Sequence, residues 1–299
     1  MKALLLSFYL WVTVPAFAQP SARYKPIVLN PSYEHTKWQT SPSDLAFEFA
    51  AFTSSFDSDD DNDGDGQGES WGIPEWVAYE IKRVENLPSG GGRPSSWMTV
   101  PELHEEGIAP DDDTYHVAGT AQMREVKTNY RFVRGHLCMK LIVRRVSLDA
   151  EYNTHTVLNA VPQLQWQNEG VWNGLEMQTI EWAQKYERIW VATGPVFFGK
   201  SPALWLGQKG EVQAAVPDAL YKIVIREIDG RPKAIAFLFP NIQPSDIDDE
   251  DFAQFLTSVD RIEELTGLDF MSNATEVESI ESSNENLSES DKQQVVLDW

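Results

Sequence analysis

Apolar and polar residues alternate along residues 76–84 (WVAYEIKRV), the period of two that marks a strand. Strand signatures recur in residues 189–198 (IWVATGPVFF) and in the two β-rich runs of residues 220–240 (LYKIVIREIDGRPKAIAFLFP). Between those two runs stands Asp229-Gly230, a pair that tolerates positive φ and suits a two-residue hairpin turn. The period changes at residues 168–187. There Val171, Trp172, Leu175, Ile180, Trp182, Ala183 and Tyr186 follow a spacing close to 3.6, which predicts one amphipathic helix. A last helix is expected over residues 252–265, with Gly267 beyond its end as the stop signal. Residues 130–133 read as a short strand leading into RFVRGHLCMK, and residues 87–128, rich in Gly, Pro, Ser and Asp, read mostly as loop.

With 299 residues, 42% of them hydrophobic, the chain can bury a substantial core as one domain or at most two. Residues 1–18 (MKALLLSFYLWVTVPAFA) join Lys2, an apolar stretch and a closing Ala16-Phe17-Ala18, the pattern of a signal peptide cleaved after Ala18. That stretch is shorter than the ~18 residues of a membrane helix, and no other run reaches this length. The expectation is an exported protein, secreted or periplasmic, with no membrane partner. Cys138 is the single cysteine, so no internal disulfide is available there.

The formal net charge of -22 would argue against a polyanionic partner if it were evenly spread. Instead, residues 57–69 hold seven acids, residues 245–251 hold five, and residues 274–299 hold seven against Lys292. The remainder is nearly neutral, which leaves room for a local basic site. The expected organisation is the leader, an N-terminal lead and acidic linker over 19–70, a folded domain over 71–272, and an acidic, disordered tail over 273–299. Within the linker, Asp59-x-Asp61-x-Asp63-Gly64-Asp65 matches the first half of a calcium loop, whereas Ser70 stands at the twelfth position where such a loop has Glu. A Ca²⁺ site at 59–70 and a plain solvated linker both stay open.

Arg134-Gly135-His136 combines a fixed cation suited to phosphate, a residue without a side chain, and a base titrating near neutrality. Asn168 stands at the start of the predicted helix, either as its cap or as an oxygen ligand for a hard cation. Glu176, eight residues on, lies ~80° round a regular helix from Asn168, as a surface acid or as a carboxylate facing the same ion. Lys140, Arg144 and Arg145 line a nucleic-acid groove or simply cover a surface. His35, His104, His116 and His155 lack ligand-like spacing, and Cys138 reads as a small buried hydrophobe rather than a nucleophile.

Taken in order, WVAYEIKR, a Gly-rich loop with Arg93 and Trp97, RGH, LNAVPQ, Asn168-x-x-x-Trp172, Leu175-Glu176 and TGPVF resemble the DNA/RNA non-specific endonucleases, a family that includes mitochondrial endonuclease G. The likeness runs from about residue 76 to residue 270. It implies an α+β, ββα-metal fold with a central antiparallel sheet flanked by helices. It further implies His136 as general base, Asn168 as direct ligand of a hydrated Mg²⁺ or Mn²⁺, and Glu176 as holder of the metal's water shell. By the same resemblance Arg93 and Arg134 neutralise the phosphate and Asn159 helps orient the site. Val133 departs from the family pattern, which has Asp before Arg-Gly-His.

The implied activity is hydrolysis of DNA and RNA with little sequence preference, leaving 5′-phosphates. Two rivals differ in class: an exported nucleic-acid-binding protein impaired by Val133, and a calcium-dependent extracellular interaction protein built on the acidic run. Whether the protein forms a homodimer stays open.

Overall fold

A computed structural model describes residues 22–43, 45–58, 70–115, 132–208, 210–242, 251–274, 278–279 and 287–299. The leader and most of the acidic run, with the proposed calcium ligands, lie outside the described residues.

The strands are β1 (Leu45–Glu48), β2 (Thr53–Phe56), β3 (Pro74–Lys82), β4 (Phe132–His136), β5 (Ala160–Leu164), β6 (Arg188–Val196), β7 (Trp205–Leu206), β8 (Ala214–Ala215), β9 (Ala219–Ile228), β10 (Arg231–Pro240), β11 (Leu256–Thr257) and β12 (Glu278–Ser279). The central sheet runs β1-β2-β3-β6-β9-β10-β11 with antiparallel neighbours, and β12 pairs with β10 in parallel. The predicted hairpin forms as expected: β9 and β10 meet around Asp229 (φ 52°) and Gly230 (φ 78°), the two positive φ values a type I′ turn requires.

β1, β2 and the buried Trp38 belong to this same structure. The folded domain therefore begins well before the expected boundary at residue 71. The linker composition lies in the acidic run, and the LAFEFAAF stretch before it builds β1 and the turn into β2.

Both faces of the sheet are covered. Alternate residues of β9 divide between two cores: Leu220 and Val224 join Trp172, Leu175 and Trp182 on one side, and Tyr221, Ile223 and Ile225 join Trp190, Ile262 and Phe270 on the other. Double burial is why β9 reads as an almost continuous apolar run. Lys222 is the exception within it.

The helix expected over 168–187 is broken near its start. A turn at Gln165–Gln167 leads into a wide π turn at Asn168–Trp172, where Gly170 leaves helical geometry (φ -96°, ψ -113°), and a regular helix follows over Asn173–Tyr186. Asn168 is thus a helical residue within a wide turn and not the cap at a helix start. Such turns are frequent at functional sites.

The last helix is Val259–Thr266, shorter than expected, because Ser258 caps it by accepting from Arg261 N. Gly267 ends it with φ 72°, as anticipated. The tail also departs from expectation. Residues Glu289–Asp298 form a helix that buries Val296 and carries Trp299 to within 4.5 Å, centroid to centroid, of Trp182. The apolar Val295, Val296, Leu297 and Trp299 are diluted by the acids around them in any average over the segment.

Candidate active site

The Arg-Gly-His motif lies on β4 itself, paired with β5 in a separate two-stranded ribbon that sets His136 opposite Ala160. The backbone after His136 is held by Asn159. Its Oδ1 accepts from Cys138 N at 2.9 Å, and its Nδ2 donates to Cys138 O at 2.9 Å and to Thr154 Oγ1 at 2.9 Å. The side chain is wholly buried, and its hydrogen bonds shape the loop.

The imidazole of His136 packs against Trp97 (centroids 4.7 Å apart) and edge-to-face with His155 (5.4 Å). Among the described residues its Nε2 is covered and has no hydrogen-bond partner. Burial above all, together with the charges of His155, Arg93 and Lys140, lowers its pKa to about 3. His136 is therefore a neutral base. His155 donates from Nδ1 to Tyr152 O at 3.2 Å, and its chain carries Trp97 alongside through Met98 N–H to His155 O at 2.9 Å.

Arg93 is exposed at the end of the Gly-rich loop, near enough for its charge to act on both histidines. The loop is fastened by Gly91 N–H donating to the buried Glu151 at 2.7 Å. The same carboxylate takes Arg144 at 2.6 Å and Lys140 at 3.4 Å. Of the two readings of these bases, Arg144 is committed to that ion pair. Arg134 contacts Asp112 at 2.6 Å, with its guanidinium 5.9 Å from the Trp97 ring centroid. Asp112 sits in a turn, where Asp111 Oδ1 accepts from Asp113 N at 2.9 Å.

Asn168 reaches the motif through one neighbour. Its Nδ2 donates to Gln163 Oε1 at 2.7 Å. That oxygen also lies against Gly135: a Cβ there would stand 2.2 Å from it. Only glycine permits this approach, which sets the Asn168 amide beside the residue preceding His136. From the other side Trp172 Nε1 donates to His136 O at 3.3 Å.

Glu176 is not the surface acid of one of the two readings. It is buried, with Oε1 3.5 Å from Lys222 Nζ, and Lys222 in turn lies 4.0 Å from the Trp172 ring centroid. Burial raises the Glu176 carboxyl to about 7 against the opposing pull of Lys222. Burial likewise lowers the Lys222 ammonium.

The family described as DNA/RNA non-specific endonuclease matches residues 68–276. The chain belongs to the DNA/RNA non-specific endonuclease family. It is 29% identical over 208 residues to mitochondrial endonuclease G of Bos taurus, a match spanning 66% of this chain and 63% of that one. To the nuclease of Serratia marcescens it is 31% identical over 202 residues, 64% of this chain and 66% of the relative. A chain in the crystal structure of the EndoG/EndoGI complex superposes with a TM-score of 0.57 at 20% identity, covering 79% of this chain and 89% of that one. That likeness bears on the fold, which is the expected α+β arrangement around an antiparallel sheet.

The residues present suit the metal this family implies. Asn168 spends its nitrogen on Gln163, leaving its amide oxygen for a ligand. Among the described residues no three His, Cys, Asp or Glu side chains gather to cage an ion. A single oxygen donor suits Mg²⁺ or Mn²⁺, which keep most of their water. Val133 lies across the ladder from Gln163 and alternates to the face opposite Arg134 and His136.

Sequence reasoning quoted Gln163 within LNAVPQ without giving it a role, and did not find Gln167, His155, Glu151, Asp112 or Lys222 as parts of this region. Lys222 had a readable signal, a lone cation in an apolar strand, which calls for a buried partner. The others depend on contacts between distant segments.

Proposed function

We propose that this protein is an exported, metal-dependent endonuclease that hydrolyses phosphodiester bonds of DNA and RNA. The observation that carries the reading is the neutral imidazole of His136 on the β4 end, with the Asn168 amide tied by Gln163 to the adjacent Gly135.

His136 takes the proton of the attacking water. Because Nε2 is covered, Nδ1 is the atom left to receive it. Arg93 meets the incoming phosphate, and its neutralisation by that anion relieves one cause of the low His136 pKa, bringing the base toward its working range. Arg134 supports the same phosphate from its station on Asp112. Asn168 Oδ1 would hold a hydrated Mg²⁺ or Mn²⁺, and such an ion would supply positive charge against the charge that grows as the phosphodiester breaks. Glu176, whose charge reaches Cys138 in the loop after His136, would contribute negative charge and help order the water shell of that ion. Contacts to backbone phosphate carry no sequence information, which accounts for low sequence preference and for activity that falls with salt. The leader at residues 1–18 supports export.

The test is incubation of the purified protein with supercoiled plasmid and with RNA, each with Mg²⁺ and with a chelator. Cleavage of both polymers only with the metal, leaving 5′-phosphate ends, is expected. Retained DNA binding without cleavage would assign the protein to the impaired binding class instead.

A further inference from the structure

Asn168 is the end of a chain of three amides. Gln163 Nε2 donates to Gln167 Oε1 at 2.8 Å, and Gln167 Nε2 donates to Pro240 O at 2.7 Å and Phe239 O at 3.0 Å. Gln163 and Gln167 are buried, so these bonds are their means of satisfying their polar atoms. The two carbonyls can only accept, so Gln167 must turn its nitrogen toward them and its oxygen toward Gln163. Gln163 must then present nitrogen to Gln167 and oxygen to Asn168. Asn168 must present its nitrogen inward, which leaves its oxygen facing out. Each amide alone is symmetric in shape and free to flip. Joined in series, all three are oriented by two backbone oxygens at the end of β10.

The frame around the chain is itself clamped. Asn241, next to Pro240, accepts from Leu164 N at 2.9 Å and donates to Pro162 O at 3.0 Å, the residues on either side of Gln163. The separation of the two ends is thereby set independently of the amides.

We propose that Gln167 is a positioning residue which, through Gln163, holds the Asn168 amide with its oxygen turned toward the metal. This rests on the reading of Asn168 as the metal ligand. An amide that flips presents N–H groups to a cation and repels it, so the relay acts on metal affinity before any chemistry occurs.

The experiment is Mn²⁺ titration of the full chain, without nucleic acid, followed by electron paramagnetic resonance of the free ion. Asn168→Ala supplies the background from the acidic segments. Gln167→Met, which keeps the volume and removes the amide, is expected to weaken the Asn168-dependent site by about 10-fold to 100-fold. In an Asn168→Asp background the same change is expected to have no effect, because a carboxylate has no orientation to fix. Should Gln167→Met fail to fold by thermal melting, Gln163→Met tests the next link by removing the oxygen that accepts from Asn168 Nδ2, with the same weakening expected. Unchanged Mn²⁺ affinity in the folded variant, or an equal loss in the Asn168→Asp background, overturns the proposal. If Asn168→Ala itself leaves Mn²⁺ binding intact, the metal-ligand reading fails and the relay falls with it.

Discussion

Lys222 and Glu176 face each other in the core, Nζ to Oε1 at 3.5 Å, one on β9 and the other on the helix Asn173–Tyr186. Both side chains are buried, so each depends on the other. Lys222→Met is expected to destabilise the fold by about 3–5 kcal/mol, the usual cost of stranding a buried charge. In the double variant with Glu176→Gln, part of that loss returns, since no charge is left uncompensated. Chemical denaturation of the four proteins of the cycle measures it; a single-variant loss as small as a surface change would contradict the pairing.

Gly135→Ala tests the closest approach in the site. A Cβ there would stand 2.2 Å from Gln163 Oε1 and 2.6 Å from its Cβ, so Gln163 must move and take Asn168 with it. Overpacking is expected to cost about 1–3 kcal/mol. Cleavage is expected to fall by about 10²-fold, since small displacements of catalytic groups are that expensive. Kinetics at saturating metal, with melting as control, separates the two. Wild-type turnover in a folded variant would show that Gln163 does not position the site.

Two opposite pKa shifts give the pH dependence its form. His136, lowered to about 3, stays neutral in the native state while its unfolded counterpart charges near 6.5. The contribution is present above about 6.5 and is lost as pH falls toward about 3, so His136→Asn is expected to lose less stability than the parent between neutral and acid pH. Glu176, raised to about 7, loses its charge as pH falls through that value. The acid limb of cleavage is therefore expected to follow Glu176 and to flatten in Glu176→Gln, whose residual activity would vary little across the same range. An unchanged limb in that variant would remove Glu176 from the account.

How much of this was legible in the sequence depended on the range of the contacts involved. The strands around the Asp229-Gly230 turn and the stop at Gly267 follow from local chemistry and stand where the pattern put them. Asn168 did not stand where a regular 3.6-residue period placed it, because the break at Gly170 widens the turn and no periodicity encodes that. Its amide orientation depends on carbonyls more than seventy positions away, at Phe239 and Pro240. The helix Glu289–Asp298 was hidden by averaging, its buried Val296 and Trp299 outvoted by acids that face solvent. His155 showed no ligand spacing, and its place beside His136 arises from the loop that Asn159 pins.

The central claim is that the imidazole of His136 takes a proton from water while the phosphate is held by Arg93 and the ion at Asn168. The direct measurement is plasmid cleavage by His136→Ala in saturating Mg²⁺, with and without added imidazole. The account predicts a loss of about 10²-fold to 10⁴-fold, partly restored by imidazole in solution. Wild-type rates in the variant without imidazole would contradict it.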